Sequence, residues 1–355
     1  MRKSQTNHAV VSGASIAGLS AAFWLRKTGW EVTVLERAPA FRDGGQNVDV
    51  RGKARDILRR MGLFDQVKAQ NTTEIGTVLV GPSGEVLKEL SSGGTEGATA
   101  ELEVLRGDFA RVLLENLPDG VRFVYGERIA EVADGSDTIT MTTTSGLTLP
   151  ADLLVIAEGV RSSTRDLVFQ AGTTLDKLGI NMVFGTIART ADDDRRWRWY
   201  TATQGRQVHL RPDNHGTTRA VLAYTGEDDL RGLDKEELLA KLGERFLDAG
   251  WQAPRVLEGF MHSEDIYADH LTYIKMEHWH QGRTVMAGDA GWCVTPIGGR
   301  GASLALVSGY ALAECLAKYP DNLEAALGAY EQWMRPLVDE VQRLPPGFKQ
   351  QAFPE

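Results

Sequence analysis

The segment from residue 8 to residue 36 has the pattern of a strand, a glycine-containing turn, a helix and a second strand. His8–Val11 and Glu31–Leu35 are short runs of mainly apolar and β-branched residues, and residues 14–29 between them carry apolar side chains at helical spacing. Two consecutive strands joined through a helix lie parallel with a right-handed crossover. This unit therefore predicts an α/β fold with a parallel sheet.

The turn in this unit has the spacing of a dinucleotide-binding fingerprint. Gly13 and Gly18 occupy the first and last glycine positions of the GxGxxG pattern, and Ser15 stands in the middle one. The first glycine permits the tight turn and the last lets the helix approach the strand, while the free N–H groups of the helix N-terminus favour phosphate. Glu36 ends the second strand, where a carboxylate accepts hydrogen bonds from ribose hydroxyls. The motif alone fits FAD and NAD equally well.

A second strand-to-helix corner near the end of the sequence favours FAD. Gly288 and Asp289 follow an apolar strand at 283–287, and the glycine-rich loop Pro296–Gly301 precedes a long helix at 302–318. NAD requires only one such phosphate-binding corner, whereas FAD can occupy two, because its ribityl chain and flavin ring extend beyond the pyrophosphate. We therefore expect both corners to meet at one FAD.

Composition excludes several other classes of protein. The chain has 39 basic and 48 acidic residues, a net charge of −9, which argues against non-specific nucleic-acid binding. No apolar run approaches the roughly 20 residues of a membrane span, and no secretory signal is visible, so we predict a cytoplasmic protein without stable membrane insertion. Cys293 and Cys315 belong to no metal-binding or redox spacing, and we expect both to be reduced thiols.

The pattern of elements predicts two domains, because the chain leaves the first fold and returns to it. Residues 180–276 are mostly strand-like, interrupted by one amphipathic helix at 235–249. Smaller expected features are a hairpin at 75–90, a loop at 91–100 and strands at 121–133 and 137–150. The predicted order is FAD-binding at 1–72, substrate-domain strands at 73–102, FAD-binding at 103–175, a substrate-binding sheet domain at 176–280, FAD-binding and a C-terminal helix at 281–340, and a tail at 341–355.

A third motif, Glu158–Arg165, follows a wholly apolar strand and completes a resemblance to a known family. The chain resembles the single-component flavoprotein aromatic hydroxylases, which include p-hydroxybenzoate hydroxylase and the tetracycline-inactivating monooxygenases, and it is most similar to the second group. The resemblance covers most of the chain. It rests on residues 13–18, Glu36-Arg37, the segment 44–49, Arg106 with Asp108 and Arg111, Glu158-Gly159, and residues 288–301.

The resemblance implies both a fold and an activity. The fold would be a Rossmann-like FAD-binding domain of the GR2 type, with an inserted sheet-rich substrate domain and a C-terminal helix. The activity would be hydroxylation of a small aromatic or polyketide-like substrate, an antibiotic included. NADPH or NADH would reduce FAD, and O2 would form a flavin C4a-hydroperoxide that donates one oxygen atom. No catalytic side chain and no metal are expected, and we predict a monomer or weak homodimer.

The resemblance also implies a set of FAD contacts. Arg37 would flank the adenine, Arg106 would reach the pyrophosphate and ribityl region, Asp49 would lie near the flavin ring, and Asp289 would accept from a ribityl hydroxyl. The full set is Gly13, Ser15, Ile16, Ala17, Gly18, Glu36, Arg37, Asp49, Arg106, Glu158, Gly288, Asp289, Pro296, Gly299, Gly301 and Ala302.

Three departures from the family pattern stand out. Glu158 replaces the usual Asp, which puts its contact with pyrophosphate in doubt, and Trp292 replaces a frequent His. The C-terminal helix is also short, so we expect a more open substrate entrance.

The predicted substrate residues lie in the sheet-rich segment. They are Phe184, Trp199, Gln207, His209 and Arg211, of which the last three alternate along one strand and share a face. An ordinary role as core or solvated sheet residues stays open for each of them. Two further patterns, which would suggest a metal site or a halogenase, are incomplete. His278 and His280 have no evident third metal ligand, and the Trp197-Arg198-Trp199 pattern lacks the Ile-Pro that follows in flavin halogenases.

Two alternatives to an oxygenase remain open. One is a flavin reductase or dehydrogenase of the same fold, like the geranylgeranyl reductases. The other is a non-catalytic protein that sequesters a drug or flavin. The sequence leaves the substrate and the choice among hydroxylation, epoxidation and Baeyer–Villiger insertion undecided.

Overall fold

A computed structural model describes residues 6–90, 102–230, 232–343 and 352–353. The strands in this part of the chain are β1 His8–Ser12, β2 Glu31–Glu36, β3 Asn47–Asp49, β4 Thr77–Val80, β5 Val86–Leu90, β6 Glu103–Leu105, β7 Val121–Tyr125, β8 Ile129–Asp134, β9 Ile139–Thr143, β10 Thr148–Ala151, β11 Leu153–Ile156, β12 Thr173–Ala188, β13 Trp197–Ala202, β14 Arg206–Pro212, β15 Thr217–Thr225, β16 Tyr267–Met276, β17 His280–Gln281 and β18 Thr284–Met286. The helices are α1 Ile16–Lys27, α2 Lys53–Met61, α3 Phe64–Ala69, α4 Arg106–Glu115, α5 Ser163–Val168, α6 Lys235–Phe246, α7 Ala253–His262, α8 Asp289–Trp292, α9 Thr295–Gly298, α10 Gly301–Lys318 and α11 Leu323–Val341.

The first sheet has six strands in the order β17, β18, β11, β1, β2 and β7. Its neighbours pair in parallel except for the edge strand β17, which is antiparallel. All four residues of β11, the wholly apolar strand before Glu158, are buried, as in a strand covered on both faces. The predicted α/β fold with a parallel sheet is therefore confirmed.

Helices α1 and α10 pack closely against each other beside this sheet. A Cβ atom added to Gly309 of α10 would lie 2.4 Å from the backbone nitrogen of Ala21 in α1, so only glycine allows this approach. The hydroxyl of Ser20 donates to the carbonyl oxygen of Leu306 at 2.7 Å. Both helices begin beyond the carboxyl ends of parallel strands, so their N-termini lie at the same edge of the sheet.

The second large sheet has seven strands in the order β16, β12, β15, β14, β13, β4 and β5. Because side chains alternate along each strand, the sheet has two different faces. One face packs against α6 and α7, where Val208 and Leu222 share a hydrophobic cluster with Phe246 and Phe260. The other face packs against Ile297 of the glycine-rich loop. We call it the cofactor-side face, because that loop belongs to the second strand-to-helix corner.

Two parts of the secondary-structure prediction were wrong. The strands predicted at 121–133 and 137–150 are each divided in two, because Gly126 and Gly146 adopt positive φ angles of +74° and +88° and end the pairing. The one helix predicted at 235–249 ends at Phe246 and is followed by a second helix, α7. The predicted loop at 91–100 lies outside the described residues.

Three further features considered in the sequence are a hairpin, the two cysteines and the character of the helices. The hairpin at 75–90 is present as β4 and β5, and Cys293 and Cys315 are free, buried thiols. None of the helices in the described ranges has the length and apolar character needed to cross a bilayer.

Candidate functional site

The first strand-to-helix corner depends on its two glycines. Gly13 has a φ of +111°, and a Cβ atom there would lie 2.3 Å from the carbonyl oxygen of Ala157. A Cβ atom on Gly18 would lie 1.8 Å from the carbonyl oxygen of Gly13. Ser15 precedes α1 and makes no side-chain capping bond, so the hydroxyl leaves the first N–H groups of the helix to a ligand.

Glu36 lies beside this corner. Its carboxylate accepts from the N–H of Ala14 at 3.0 Å and from the N–H of Ala38 at 2.9 Å. These bonds fix the carboxylate at the carboxyl end of β2, next to the fingerprint turn. Arg37, which follows Glu36, is exposed.

The second corner contacts the first one directly. Gly288 has a φ of +63°, and a Cβ atom there would lie 2.7 Å from the Cβ of Ala17 and 3.8 Å from the Cβ of Ala305. Gly288 therefore fits between the beginning of α1 and that of α10. The two corners, which are about 270 residues apart in sequence, converge at one place, as a single ligand bound by both requires.

Asp289 and Arg106 place opposite charges at this meeting point. Asp289 is exposed, yet the protein atoms around its carboxyl limit hydration, as at the wall of a cleft. This desolvation raises its pKa to about 6, while the positive charge of Arg106 opposes that rise. Arg106 is exposed at the beginning of α4 and donates to the carbonyl oxygen of Gly44 at 3.2 Å. The cleft thus offers one cation for phosphate and one acceptor for hydroxyl groups.

The segment 45–51 connects this cleft to the beginning of α10. Both polar atoms of the Gln46 amide are buried without a hydrogen-bond partner in the protein. Ser303 accepts from the N–H of Arg51 and donates to the carbonyl oxygen of Asp49, both at 2.9 Å. Burial and the nearby carboxylate of Glu103 raise the pKa of Asp49, and the guanidinium groups of Arg211 and Arg51 oppose this.

The loop before α10 forms the remaining wall. Pro296 and Gly299 lie at its turn, where Gly299 has a φ of +60° and closes the four-residue helix α9. Gly301 and Ala302 begin α10, and a Cβ atom on Gly301 would lie 3.9 Å from an Asp289 carboxylate oxygen. The unpaired N–H groups of this 18-residue helix therefore start beside Asp289.

Glu158 points into the protein and holds the segment after β11. Its carboxylate accepts from the hydroxyls of Ser12, Ser162 and Thr164 at 2.5, 2.7 and 2.6 Å, and from the N–H of Thr164 at 3.1 Å. Glu158 was predicted to contact the cofactor. The contact with FAD stays a prediction, because in the structure the carboxylate already accepts four hydrogen bonds from three residues of the protein.

Arg165 is a positioning residue that the sequence analysis missed. It is only 1% exposed, and its guanidinium donates to the carbonyl oxygens of Val160 and Ala290 at 3.1 and 3.2 Å. It therefore joins the segment after β11 to the second corner. An arginine within a conspicuous motif signals a role, but the sequence does not show that this one is buried.

The predicted substrate residues do share the cofactor-side face. The ring centroid of His209 lies 4.7 Å from that of Trp199, and Trp199 stacks on Trp197 at 5.5 Å. Gln207 Oε1 lies 3.0 Å from His209 Nε2. Phe184 stacks on Tyr267 at 4.9 Å. The face therefore combines planar aromatic rings with one amide.

Arg211 lies at the end of this face but is held by two buried carboxylates. It forms ion pairs with Glu74 at 3.0 Å and Glu103 at 2.5 Å, and its guanidinium lies 4.1 Å from the Trp197 ring centroid. Burial raises the pKa of Glu74, and Arg211 opposes the rise. Burial and the charge of Arg211 lower the pKa of His209 to about 3, so the imidazole is neutral. Glu74 and Glu103 were missed, because nothing local in the sequence links them to Arg211.

No metal centre accompanies this site in the described ranges of the chain. His278 and His280 have no further acidic, Cys or His neighbours there in a metal-binding arrangement. His280 instead lies 3.7 Å from a carboxylate oxygen of Glu331.

The residues at the two corners fit FAD. The cradle of glycines at 13, 18 and 288 leaves no space for side chains, the Gln46 amide lacks a protein partner, and Arg106 and Asp289 face one cleft. A family model described as an FAD binding domain matches residues 6–343, which is most of the chain. The chain belongs to the family of FAD-dependent monooxygenases, and it binds FAD.

Two similar proteins are named as monooxygenases, and a third is named as uncharacterized. "Monooxygenase CTB7" of Cercospora beticola is 33% identical over 97% of this chain and 87% of its own length. A "flavin-dependent monooxygenase" of Legionella longbeachae is 31% identical over 94% of this chain and 86% of its own. An uncharacterized protein of Mycobacterium tuberculosis is 32% identical over 94% of this chain and 91% of its own length.

Solved structures support the fold. The tetracycline destructase Tet(55) superposes with a TM-score of 0.86 at 28% identity, over 98% of this chain and 90% of its own. Klebsiella pneumoniae HpxO, complexed with FAD and uric acid, superposes with a TM-score of 0.79 over 98% of this chain and 89% of its own. At 21% identity the second likeness concerns the fold alone.

Proposed function

We propose that the protein uses NADPH or NADH and O2 to hydroxylate a small aromatic or polyketide-like substrate. The observation that carries this proposal is the aromatic, amide-bearing sheet face of Trp199, Gln207 and Phe184, which lies against the loop at Ile297 beside the FAD-binding corners. The overall reaction combines substrate, O2, NAD(P)H and a proton, and yields hydroxylated substrate, NAD(P)+ and water. The nicotinamide supplies both electrons needed to reduce the second oxygen atom to water.

The residues at the two corners would hold FAD between them. The beginning of α1 and Arg106 would bind the pyrophosphate, Glu36 the adenosine ribose, and Asp289 the ribityl chain, with the beginning of α10 beside the ring. Bound FAD supplies electron transfer from the nicotinamide and activation of O2. The N-terminal end of α10 favours negative charge at the ring edge.

The sheet face would orient the substrate and exclude water. Phe184 belongs to a buried apolar cluster with Val221 and Leu271, and this cluster reaches Ile297. Exclusion of water matters, because activated oxygen is otherwise released as H2O2. In this proposal no protein side chain attacks the substrate.

The test is a panel of phenols and polyketides, with tetracycline included because a structural neighbour is named a tetracycline destructase. Each compound is incubated with purified protein and NADPH or NADH. We expect at least one compound to accelerate NAD(P)H oxidation with equal O2 uptake and to gain one oxygen atom by mass spectrometry. In the control variant Gly288→Val, the added side chain would displace Ala17, so flavin absorbance and turnover should disappear together.

The two alternatives give different results in the same assay. A reductase of this fold would consume NAD(P)H and reduce its substrate without O2 uptake. A sequestering protein would retain FAD and bind the compound without oxidising NAD(P)H. Either result, obtained with every compound of the panel, contradicts the proposed oxygenation.

A further inference from the structure

Two residues near the C-terminus lie on the cofactor-side face of the seven-stranded sheet. Phe353 is only 7% exposed, and its ring belongs to the cluster formed by Ile180, Phe184, Val221, Ala223 and Leu271, with Ile297 at the edge. The preceding residue, Ala352, lies against the same cluster. The sequence predicted an open substrate entrance, but this segment covers the face on which the substrate residues lie.

The C-terminal residues also accept a hydrogen bond from Gln207, and the neighbouring polar groups fix the orientation of the Gln207 amide. The Trp197 indole N–H can only donate, and it lies 3.3 Å from His209 Nδ1, which must therefore accept. The neutral imidazole then carries its proton on Nε2 and donates to Gln207 Oε1 at 3.0 Å. This leaves the Gln207 NH2 group to donate, and it does so to the carbonyl oxygen of Ala352.

We propose that Ala352 and Phe353 occupy the substrate site as an internal competitor, and that the site accepts an aromatic ring with a carbonyl oxygen bound by Gln207. This inference rests on the proposed function, because it takes the cofactor-side face as the substrate site. It adds a specificity-determining role for Gln207, which distinguishes a carbonyl-bearing aromatic compound from an aromatic hydrocarbon of the same shape.

Competition from the tethered C-terminal residues determines how much the apparent dissociation constant of a ligand increases. A tethered segment has an effective concentration on the order of 1 mM at its site. A single ring and one hydrogen bond bind weakly, so a dissociation constant of about 0.1–0.5 mM for the free segment is reasonable. The apparent dissociation constant of a competing ligand is then raised about three- to tenfold in the full chain.

The experiment compares binding of 1-acetylnaphthalene to the FAD-loaded full chain, to a chain ending at Arg343 and to the variant Phe353→Ala. Quenching of tryptophan fluorescence measures the dissociation constants, because Trp197 and Trp199 lie on the same face. Both altered proteins should bind the ketone about three- to tenfold more tightly than the full chain. The peptide Gln-Ala-Phe-Pro-Glu, added to the shortened chain, should weaken binding again.

Two controls make the result specific. Phe64→Ala removes an identical side chain from a different hydrophobic cluster and should leave the dissociation constant unchanged. Gln207→Leu should weaken binding of 1-acetylnaphthalene to the shortened chain about tenfold, but it should not affect 1-ethylnaphthalene, which lacks the carbonyl.

The outcomes that overturn the proposal are equally distinct. Equal affinity in the three proteins, absence of binding to the shortened chain, or weaker binding after removal of the segment would each show that Phe353 does not compete. The last result would instead make Phe353 a wall of the site. The binding assay requires no turnover, so it can succeed even if the proposed function is wrong. The proposed function fails if neither the full nor the shortened chain shows substrate-dependent NAD(P)H oxidation.

Discussion

Gly18→Ala tests the geometry of the first corner with a single methyl group. The added Cβ would lie 1.8 Å from the carbonyl oxygen of Gly13 and 3.3 Å from a methyl carbon of Val11. Ordinary contacts are about 3.5 Å, so α1 must move away from the turn by roughly 1.5 Å. Overpacking of this severity costs about 3 kcal/mol, of which the higher helix propensity of alanine returns about 1 kcal/mol. We expect a net loss of about 2 kcal/mol.

The same displacement would move the N-terminus of α1 away from the position proposed for the pyrophosphate. Affinity for FAD should therefore fall at least about tenfold, since phosphate contacts require N–H groups at hydrogen-bonding distance. Urea unfolding gives the stability, and flavin absorbance retained after desalting gives the occupancy. The matched control is Gly328→Ala in α11, where nothing lies within 4 Å of the added Cβ. It should stabilise the protein by about 0.5–1 kcal/mol. A Gly18→Ala protein that unfolds like the wild type and keeps its FAD would refute this account of the corner.

Three further predictions concern charged groups. Because the folded-state pKa of Asp289 is raised to about 6 from an ordinary value of 3.8, the native protein retains a proton on this carboxyl, and this group lowers the stability of the FAD-free protein as pH rises from about 4 to 6. Unfolding titrations should show that Asp289→Asn gains stability relative to the wild type across this range, and an unchanged difference between the two proteins would contradict the raised pKa. Glu158→Ala leaves the buried hydroxyls of Ser12, Ser162 and Thr164 without their acceptor and should cost about 3–5 kcal/mol in urea unfolding, whereas Glu158→Asp should cost less. Equal losses in the two variants would show that these hydrogen bonds do not depend on the carboxylate. Arg211→Met leaves the buried carboxyls of Glu74 and Glu103 without their cation, so it should lower the free energy of unfolding by about 3–5 kcal/mol at pH 8 and by less at pH 5. The control Arg59→Met removes an exposed arginine and should change the free energy of unfolding by no more than about 0.5 kcal/mol at either pH.

The sequence was sufficient for both strand-to-helix corners, because each depends on local requirements. Glycine is favoured where φ is positive and is needed where a Cβ would contact a carbonyl oxygen, and Gly13, Gly18 and Gly288 each meet at least one of these conditions within a few residues of a strand and a helix. The convergence of the corners follows from parallel strands that end at one edge of a sheet. Alternation along β14 likewise placed Gln207, His209 and Arg211 on one face.

What the sequence could not supply are the partners of polar side chains across long separations. Arg211 was assigned to the substrate, but it pairs with Glu74 and Glu103, which are 137 and 108 residues away. Alternation gives the face of a side chain and nothing about its partner. Glu158 presents the same difficulty, since its inward orientation depends on Ser12, which is 146 residues earlier.

Helix α7, the second helix of the sheet domain, is a different case, because the sequence does contain the pattern that predicts it. Ala253, Val256 and Phe260 have helical spacing and are buried, and Pro254 suits a first helical turn. The prediction failed because one helix at 235–249 already accounted for the apolar residues nearby. Gly250, with a φ of +84°, marks the break between the two helices.

In the proposed function, FAD binds at the two corners and the substrate binds at the cofactor-side face of the sheet, so two kinds of change are separable. A side chain at Gly13 would collide with the backbone of Ala157, and one at Gly288 would collide with the side chain of Ala17, so substitutions at either glycine should affect FAD binding and stability together. Within the described residues, the Gln207 amide forms its hydrogen bonds with Ala352 and with His209, a group that stays neutral across the physiological pH range. A change at Gln207 can therefore alter which compound is bound while FAD binding remains intact. Selection for a new substrate would then act on the sheet face first, because that face can change without loss of the cofactor.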